Sequence, residues 1–177
     1  MSHDRQPVTD PLTLAALDTE RHVARTGWDQ PVRLFALVPT AELVDREPQL
    51  ADGLATHDRV AGALSAVEQD ELPDADGLED LLARIAWPDE VAGCAVAVER
   101  VVLPPAAERD LPEDPEAAVR AVAKHPDRAD VRLLVAVTRD GAARCLLRQR
   151  AHDSDDEVAL GDDIAPGLVH ALRATFD

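Results

Sequence analysis

The chain has 177 residues and a formal charge of −17, since 35 acidic residues outnumber 18 lysines and arginines, and 46% of its residues are apolar. A chain of this length and composition can bury roughly 70% of its unfolded surface, which predicts a globular domain and excludes disorder over most of it. The negative charge argues against nucleic acid and anionic lipid as partners, because both attract cationic surfaces.

No segment has the features of a membrane span or a secretory signal. The longest apolar runs, residues 33–38 and 91–98, are far shorter than the ~20 residues that cross a bilayer. Residues 1–8 are polar and lack the cationic and apolar stretches of a signal peptide. We therefore predict a cytoplasmic protein without membrane insertion. Cys94 and Cys145 lie in apolar stretches, where reduced cysteine behaves as a small apolar residue, so no disulfide is expected.

Capping and turn residues divide the first part of the chain into three elements. An acidic cap followed by proline at residues 10–11 predicts the start of a helix, and Gly27 predicts its end. Residues 32–38 have the composition of a buried strand, and residues 40–47 that of a short capped helix.

The next part of the chain is the least patterned. Residues 49–77 form a loose acidic segment, within which residues 60–67 fit either a weak strand or a helix. The predicted organisation is a flexible N-terminus over residues 1–9 and a single α+β domain over residues 10–177 that includes this segment.

Hydrophobic periodicity predicts six further elements. They are a helix over residues 78–85, a strand over 91–103, a helix over 114–125, a hairpin of strands 131–138 and 142–149, and a last helix that starts near 162–163. Helices and strands are mixed, and one connection is a tight hairpin. This order favours an α+β fold with a mostly antiparallel sheet and helices packed on one face.

The loop of the hairpin determines which side chains share a face. A three-residue loop, Arg139-Asp140-Gly141, with a left-handed Gly141, pairs Thr138 with Ala142. A two-residue loop would instead place arginines opposite core residues and mix charge into the apolar face. In the three-residue register one face is apolar and forms core. The opposite face, which we call the arginine-framed face, carries Arg132, Arg144, Arg148 and, if the strand continues, Arg150.

The arginine-framed face has two interpretations. Guanidinium groups bind carboxylates and phosphates through planar donor forks, which predicts a docking surface for a partner protein, an acidic peptide or an anionic metabolite. In the alternative, carboxylates of a neighbouring helix or of residues 153–157 pair with these arginines inside the protein. On the docking hypothesis, charge reversal at Arg144 and Arg148 abolishes partner binding and leaves the thermal midpoint nearly unchanged.

An acidic loop, residues 152–163, supplies the strongest candidate metal ligands. They are His152, Asp153, Asp155, Asp156 and Glu157. The spacing lacks the central glycine and terminal glutamate of an EF-hand, and no second histidine is placed for zinc, so a solvated loop is favoured. The sequence also lacks a serine-nucleophile turn and a phosphate-binding glycine motif. We therefore assign no catalytic residue, no metal and no cofactor, and a ligand-binding or enzymatic function of the acidic loop stays an alternative.

Aromatic residues make up 2% of the chain, which disfavours a stacking platform for bases or sugars. Trp28 and Trp87 lie beside turn residues, where they are expected to close the ends of the core with their indole N–H groups hydrogen-bonded. Asp89 and Glu90 are either an acid with a raised pKa beside Trp87 or an exposed corner.

Two segments carry a resemblance to known proteins. Residues 27–40, GWDQPVRLFALVPT, and residues 85–94, IAWPDEVAGC, resemble a family of uncharacterised actinobacterial proteins of about this length, and the likeness covers nearly the whole chain. It implies an intracellular protein and brings no assigned activity. The element order is also similar to the small α+β fold of bacterial secretion chaperones, as an analogy of fold. We therefore expect a non-enzymatic interaction module, chaperone-like or adaptor-like, with a protein partner or a second copy as its ligand and a small-molecule ligand as the alternative.

Overall fold

The computed structural model describes residues 10–49, 62–161 and 164–177. The predictions for residues 1–9, for residues 50–61 of the loose segment and for a helix start at residues 162–163 lie outside the described residues. Within them are six helices, α1 (Pro11–Ala24), α2 (Thr40–Arg46), α3 (Leu78–Ala83), α4 (Pro105–Arg109), α5 (Pro115–Lys124) and α6 (Pro166–Ala174). The strands are β1 (Arg33–Pro39), β2 (Leu64–Glu68), β3 (Gly93–Val102), β4 (Ala129–Thr138), β5 (Ala143–Gln149) and β6 (Ala159–Gly161).

The strands form one sheet in the order β2-β1-β3-β4-β5-β6, and every neighbouring pair is antiparallel. The β4–β5 hairpin has the predicted register, since the Thr138 N–H donates to the Ala142 carbonyl at 2.9 Å and Arg132 lies opposite Arg148. Gly141 has a φ of 98°, the left-handed conformation that glycine adopts without strain. The predicted α+β class with an antiparallel sheet is confirmed.

Helices cover both faces of the sheet, so the prediction of helices on one face is wrong. On one face, α1 packs against a cluster that includes Leu134, Ala136 and Leu146. On the other face, α3 and α6 cover Val135, Val137 and neighbouring residues. The physical reason lies in β4, whose consecutive apolar side chains point alternately to the two faces and therefore require cover on both.

The helix starts follow from local hydrogen bonding. The Asp10 carboxylate accepts the Thr13 N–H at 3.1 Å and the Thr13 hydroxyl at 2.8 Å, and Asp114 caps α5 through the Ala117 N–H at 3.2 Å. The described part of the segment predicted as strand or helix forms β2, whereas α4 and β6 were not predicted. Among the described helices, none combines the length and the apolar character that a membrane span requires.

The end of the β3–β4 ribbon extends beyond β1, whereas β5 follows β4 as far as Val131. Strands β3 and β4 pair from Gly93↔Thr138 to Val102↔Ala129, but β1 accompanies β3 only as far as Ala97. The connection beyond this ribbon contains α4 and α5. We call residues 100–130, which comprise the ribbon end and both helices, the arm. No described residue of α5 is fully buried.

Two glycine substitutions should change stability in opposite directions. A Cβ on Gly93 would collide with the carbonyl oxygen of Val137 on the neighbouring strand, whereas a Cβ on Gly167 in α6 meets open space. We expect Gly93→Ala to lower the free energy of unfolding by about 1–3 kcal/mol, as overpacking does. Gly167→Ala should raise it by up to about 1 kcal/mol, because alanine has the higher helix propensity. Urea unfolding of both variants measures the difference, and equal effects would contradict the close approach of β3 and β4.

Candidate functional site

The arginine-framed face is covered by α1, and its arginines bind groups of the same chain. Arg132 and Arg148 are buried, with 1% and 2% of their residue surface exposed. The side chains of Arg144 and Arg150 are 27% and 43% exposed and pair with Asp10 and Asp29. The face is therefore closed to a partner in this conformation.

Arg148 is at the centre of the largest ion-pair cluster on this face. Its Nε and Nη2 atoms bind the two carboxylate oxygens of Glu20 on α1, at 2.5 and 2.8 Å, and Glu20 is itself only 1% exposed. The acidic loop completes the cluster, since Arg148 also binds Asp153 at 3.0 Å and Asp155 at 2.6 Å. All five N–H donors of a guanidinium lie in one plane, which allows three carboxylates to surround it.

The cluster perturbs the pKa values of its members in the directions that ion pairing requires. Hydrogen bonding to Glu20 raises the pKa of Arg148 further above its ordinary value. The pKa of Asp153 is lowered by the hydrogen bond from the Trp28 indole and by Arg148, and the pKa of Asp155 is lowered by Arg148. These groups are consequently charged at neutral pH and hold the loop against α1 and β5.

Arg132 connects the same face to the corner after α1. Its guanidinium lies over the Trp28 ring, 4.4 Å from the ring centroid, and its Nη2 donates to the Gly27 carbonyl. Glu99 on β3 lies 3.5 Å from the same nitrogen, while Nη1 is buried and has no hydrogen-bond partner among the described residues. A cation–π contact and a backbone carbonyl thus take the place of a close ion pair.

Glu99 also fixes the backbone of this corner. Its two carboxylate oxygens accept the N–H groups of Asp29 at 2.8 Å and Gln30 at 2.9 Å. Asp29 has a φ of 63°, a left-handed conformation that aspartate tolerates better than most residues. Its side chain forms a bidentate ion pair with Arg150 at 2.9 and 3.0 Å. At the other end of α1, Arg144 binds Asp10 at 3.0 Å and the Thr13 hydroxyl at 2.9 Å.

The prediction that Arg132, Arg144, Arg148 and Arg150 form one open surface is corrected for Arg132 and Arg148, which are buried, whereas Arg144 and Arg150 are partly exposed and paired within the chain. The hairpin register was right, and it places the arginines on the face of Leu134 and Leu146, as expected. The error was to treat that face as exposed to solvent. Because α1 supplies Glu20 and a row of apolar residues, it covers the face and neutralises its charge, which is the internal-pairing alternative.

The acidic loop uses its carboxylates for the same internal purpose. Asp153 binds Arg148 and also accepts the Trp28 indole N–H at 3.0 Å, and Asp155 binds Arg148. The imidazole Nδ1 of His152 lies 3.7 Å from Glu157. Asp156 is exposed. Within residues 10–49, 62–161 and 164–177, no three histidine, cysteine or acidic side chains are grouped as a metal site.

The second tryptophan closes the opposite side of the core. The Trp87 indole N–H donates to the Thr175 hydroxyl at 3.0 Å, and its ring lies 6.4 Å from that of Phe176. Cys94 contacts the same hydroxyl at 3.8 Å, and burial raises the pKa of its thiol to about 11, so the thiol is protonated and unreactive at neutral pH. Neither Cys94 nor Cys145 forms a disulfide, as expected.

A cleft between the start of α1, the end of β1 and the β4–β5 hairpin was not anticipated from the sequence. It encloses about 620 Å³, and we call it the acid-rimmed groove. Its apolar lining consists of Pro11, Leu12, Pro39, Leu64, Ala92 and Ala142, and its carboxylates are those of Asp10, Glu42, Asp89, Glu90 and Asp140. Asp89 and Glu90 form an exposed corner, which was one of the two sequence interpretations.

Few of the carboxylates around the groove are neutralised. Asp10 binds Arg144, and Asp140 accepts hydrogen bonds from the Thr138 hydroxyl and the Ala142 N–H. The guanidinium of Arg139 also borders the groove, but it donates to the carbonyls of residues 87, 88 and 91. Glu42, Asp89 and Glu90 have no ion-pair or hydrogen-bond partner among the described residues. Excess negative charge therefore surrounds an apolar cleft.

A smaller cavity of about 270 Å³ lies between α1 and β2. Phe35 and Leu64 contribute apolar surface, and His22 and Glu68 contribute polar groups. Glu68 is already bound by Arg33 at 2.5 and 2.9 Å, and the Arg33 Nη2 lies 3.4 Å from the His22 Nε2. The ion pair occupies the polar groups that a ligand would use.

The fold is thus an α+β domain with helices on both faces of its sheet. It has a buried arginine cluster, an acid-rimmed groove and an arm at the end of the β3–β4 ribbon. A family model described as PPA1309-like protein matches residues 12–177, and the chain belongs to this family. The match confirms the expected membership of a family without an assigned activity. No curated protein and no solved structure matches the chain.

Replacing Arg148 should destabilise the protein far more than replacing its neighbour Arg150. Arg148→Met leaves Glu20 buried without its counter-ion, so we expect a loss of about 3–5 kcal/mol in the free energy of unfolding. Arg150→Met removes an exposed, solvent-screened pair and should have a much smaller effect. Chemical denaturation of both variants measures these losses. Equal, small losses would show that the cluster is not structural.

Lowering the pH should weaken the ion-pair cluster around Arg148. Asp153 and Asp155 have pKa values below the ordinary 3.8, so the folded state binds fewer protons than the unfolded chain. Their contribution to stability is complete at pH values above the ordinary pKa of 3.8. It is lost as the pH falls from 3.8 through the lowered pKa values of the folded state. We expect the Asp153→Asn/Asp155→Asn variant to show a shallower decline of the free energy of unfolding between about pH 4 and pH 2. Urea titrations at several pH values test this, and parallel curves for variant and parent would refute it.

Proposed function

We propose that this chain is a cytoplasmic, non-enzymatic interaction module of adaptor type, and that it docks an acidic protein surface through the arm. The observation that carries the proposal is α5, a helix with no fully buried residue that exposes 69% of an apolar side chain, Val119. The buried, protonated thiol of Cys94 supports the cytoplasmic assignment, because reduced thiols are typical of a reducing compartment.

The two sides of α5 have different exposure. Residues 117, 118, 121 and 122 are partly covered, whereas residues 116, 119, 120, 123 and 124 are exposed. The exposed stripe therefore repeats with the helical period and combines Val119 and Ala123 with Arg120 and Lys124. Glu116 is the remaining exposed residue of the stripe. A solvent-facing helix stripe is ordinarily polar, so an exposed valine and alanine on one side of two cations favour a contact with another molecule.

The ribbon end adds further apolar surface to the arm. Among the described residues, five large apolar side chains are classed as exposed, and three of them, Val101, Val102 and Val119, belong to the arm. The remaining two, Val67 and Leu160, lie on the edge strands β2 and β6. The apolar exposure is thus concentrated where the chain departs from the sheet, which supports the arm as the docking surface.

The charge of the exposed stripe of α5, rather than that of the whole arm, supports an acidic partner surface. Residues 100–130 expose five cations, Arg100, Arg109, Arg120, Lys124 and Arg128, and also contain seven acidic residues. Only Arg120 has an ion pair among the described residues, a distant 3.8 Å contact with Glu116 of its own helix. The cations of the arginine-framed face, by contrast, are bound internally. The cations that a partner would meet on α5 are therefore Arg120 and Lys124, which outnumber the one acidic residue of the exposed stripe, Glu116.

The arginine-framed face and the acidic loop are less suitable for this role. Docking at Arg148 would require α1 to move and would leave Glu20 buried without its counter-ion. A ligand in the acidic loop would compete with Arg148 for Asp153 and Asp155. The proposed function therefore keeps the expected class of protein and assigns it a different surface.

Val119→Glu should abolish docking without unfolding the protein, since the side chain is exposed. Tagged full-length parent, Val119→Glu and, as the matched control, Leu160→Glu are used as baits in a native lysate. We expect a protein retained by the parent and the control to be lost from Val119→Glu. Titration calorimetry with that protein, once purified, should show at least about tenfold weaker binding to Val119→Glu.

The control separates docking from general surface effects. Leu160 is 50% exposed on β6, so its replacement changes charge and apolar surface to a similar extent far from the arm. Thermal midpoints of both variants should stay within about 2 °C of the parent. Equal binding by the parent and Val119→Glu, or loss of binding in the control as well, would disprove docking through the arm.

A further inference from the structure

We infer that the acid-rimmed groove receives the arm of a second copy of this chain, and that two such contacts close a symmetric dimer. The inference rests on the proposed function, because it names the partner surface of the same arm. The groove contributes the acidic surface with an apolar centre that the arm requires. Both surfaces are present on one polypeptide, so no other molecule is needed to complete the contact.

The groove and the outer stripe of α5 are complementary in chemistry. The groove has an apolar lining, and at its edge lie the carboxylates of Glu42, Asp89 and Glu90, which have no partner among the described residues. The stripe has an apolar residue, Val119, with Arg120 and Lys124 one helical turn apart on one side of it and a single acidic residue, Glu116, one turn before it. Inserting the valine against the lining brings the two cations to the carboxylates. The apolar contact supplies affinity, and the charges fix orientation and register.

The dimensions of the two surfaces agree with such a contact. The ten residues of α5 span about 15 Å, and the exposed part of the stripe covers its last two or three turns. A cleft of about 620 Å³ is within the range of volumes of ordinary ligand pockets, which is enough for several side chains of a docked helix. The groove can therefore receive one face of the helix without being filled by a single residue.

A chain cannot fill its own groove with its own arm. The groove adjoins Thr138, which pairs with Gly93 at the start of β3, and the arm begins where β3 ends at Val102. A strand of ten residues is about 33 Å long, so the two surfaces lie at opposite ends of the sheet. The complement of each groove must come from another molecule.

A two-fold axis satisfies both contacts at once. When two sheets lie side by side in opposite directions, each arm meets the groove of the other copy, and the interface closes at two molecules. Each copy carries a charge of −17, so association requires local attraction that offsets the general repulsion. The two contacts provide this local attraction, because in each of them cations of the arm lie against carboxylates of the groove.

Charge exchange between the two surfaces tests the contact with the protein itself as the probe. One variant reverses the arm (Arg120→Glu/Lys124→Glu) and another reverses the groove (Asp89→Lys/Glu90→Lys). Sedimentation equilibrium of the parent should give a dimer of twice the 19.1 kDa chain. Each variant alone should have a dimer dissociation constant at least about tenfold weaker, because like charges then face each other.

Mixing the two variants in equal amounts should restore the dimer. In the mixed pair, one contact joins the native arm to the native groove and the other joins the reversed arm to the reversed groove. The control, Arg84→Glu, reverses the charge of an exposed residue at the C-terminal cap of α3 that belongs to neither surface, and should dimerise as the parent does. Circular dichroism should show that all variants keep their fold.

The outcomes separate this inference from the proposed function. A parent that is monomeric over a dilution series, or a dimer that is insensitive to either reversal or is not restored by mixing, overturns the inference. If a purified lysate partner nevertheless binds the parent and not Val119→Glu, the proposed function stands and the arm has a different ligand. If the dimer forms and responds as expected, the arm's partner is a second copy.

Discussion

The buried ion pair between Glu20 and Arg148 is the constraint on which the rest of the structure depends. Removing both charges from water costs several kcal/mol for each, and only close, bidentate geometry with the remaining donors satisfied offsets that cost. Asp153 and Asp155 satisfy those donors, so the pair fixes α1 over β5 and the acidic loop over α1. An arginine face that would otherwise be an anion-binding surface thereby becomes part of the interior.

Closing both faces of the sheet changes where this protein can interact. With α1 on one side and α3 and α6 on the other, three of the five exposed large apolar side chains among the described residues lie at the ribbon end and on α5. Carboxylates without a partner among the described residues are found at the opposite end, around the groove. The internal use of the arginines limits the cations available to a partner, because Arg148 is buried against Glu20 and the partly exposed Arg144 and Arg150 are paired with Asp10 and Asp29.

The sequence predicted the register of the hairpin but not the cover of its faces. Register follows from local chemistry, since Gly141 determines the loop and alternation then assigns every side chain to a face. Whether a helix covers a face of the sheet depends on residues that are distant in sequence. Here that residue is Glu20, and the sequence does not distinguish it from an exposed glutamate of a helix. One signal was available, because the uninterrupted apolar run of β4 is typical of a strand buried on both faces. The groove and the arm could not be predicted, because they are defined by elements that meet only in the folded chain.

Arginine-selective labelling with a dicarbonyl reagent, read by mass spectrometry residue by residue, tests the burial of the arginine cluster most directly. The account predicts that Arg132 and Arg148 of the folded protein react only at the rate of unfolding, while Arg100 and Arg128 of the arm react at the rate of free arginine. Labelling of Arg148 as fast as that of Arg128 would contradict it, since α1 would then not cover the face.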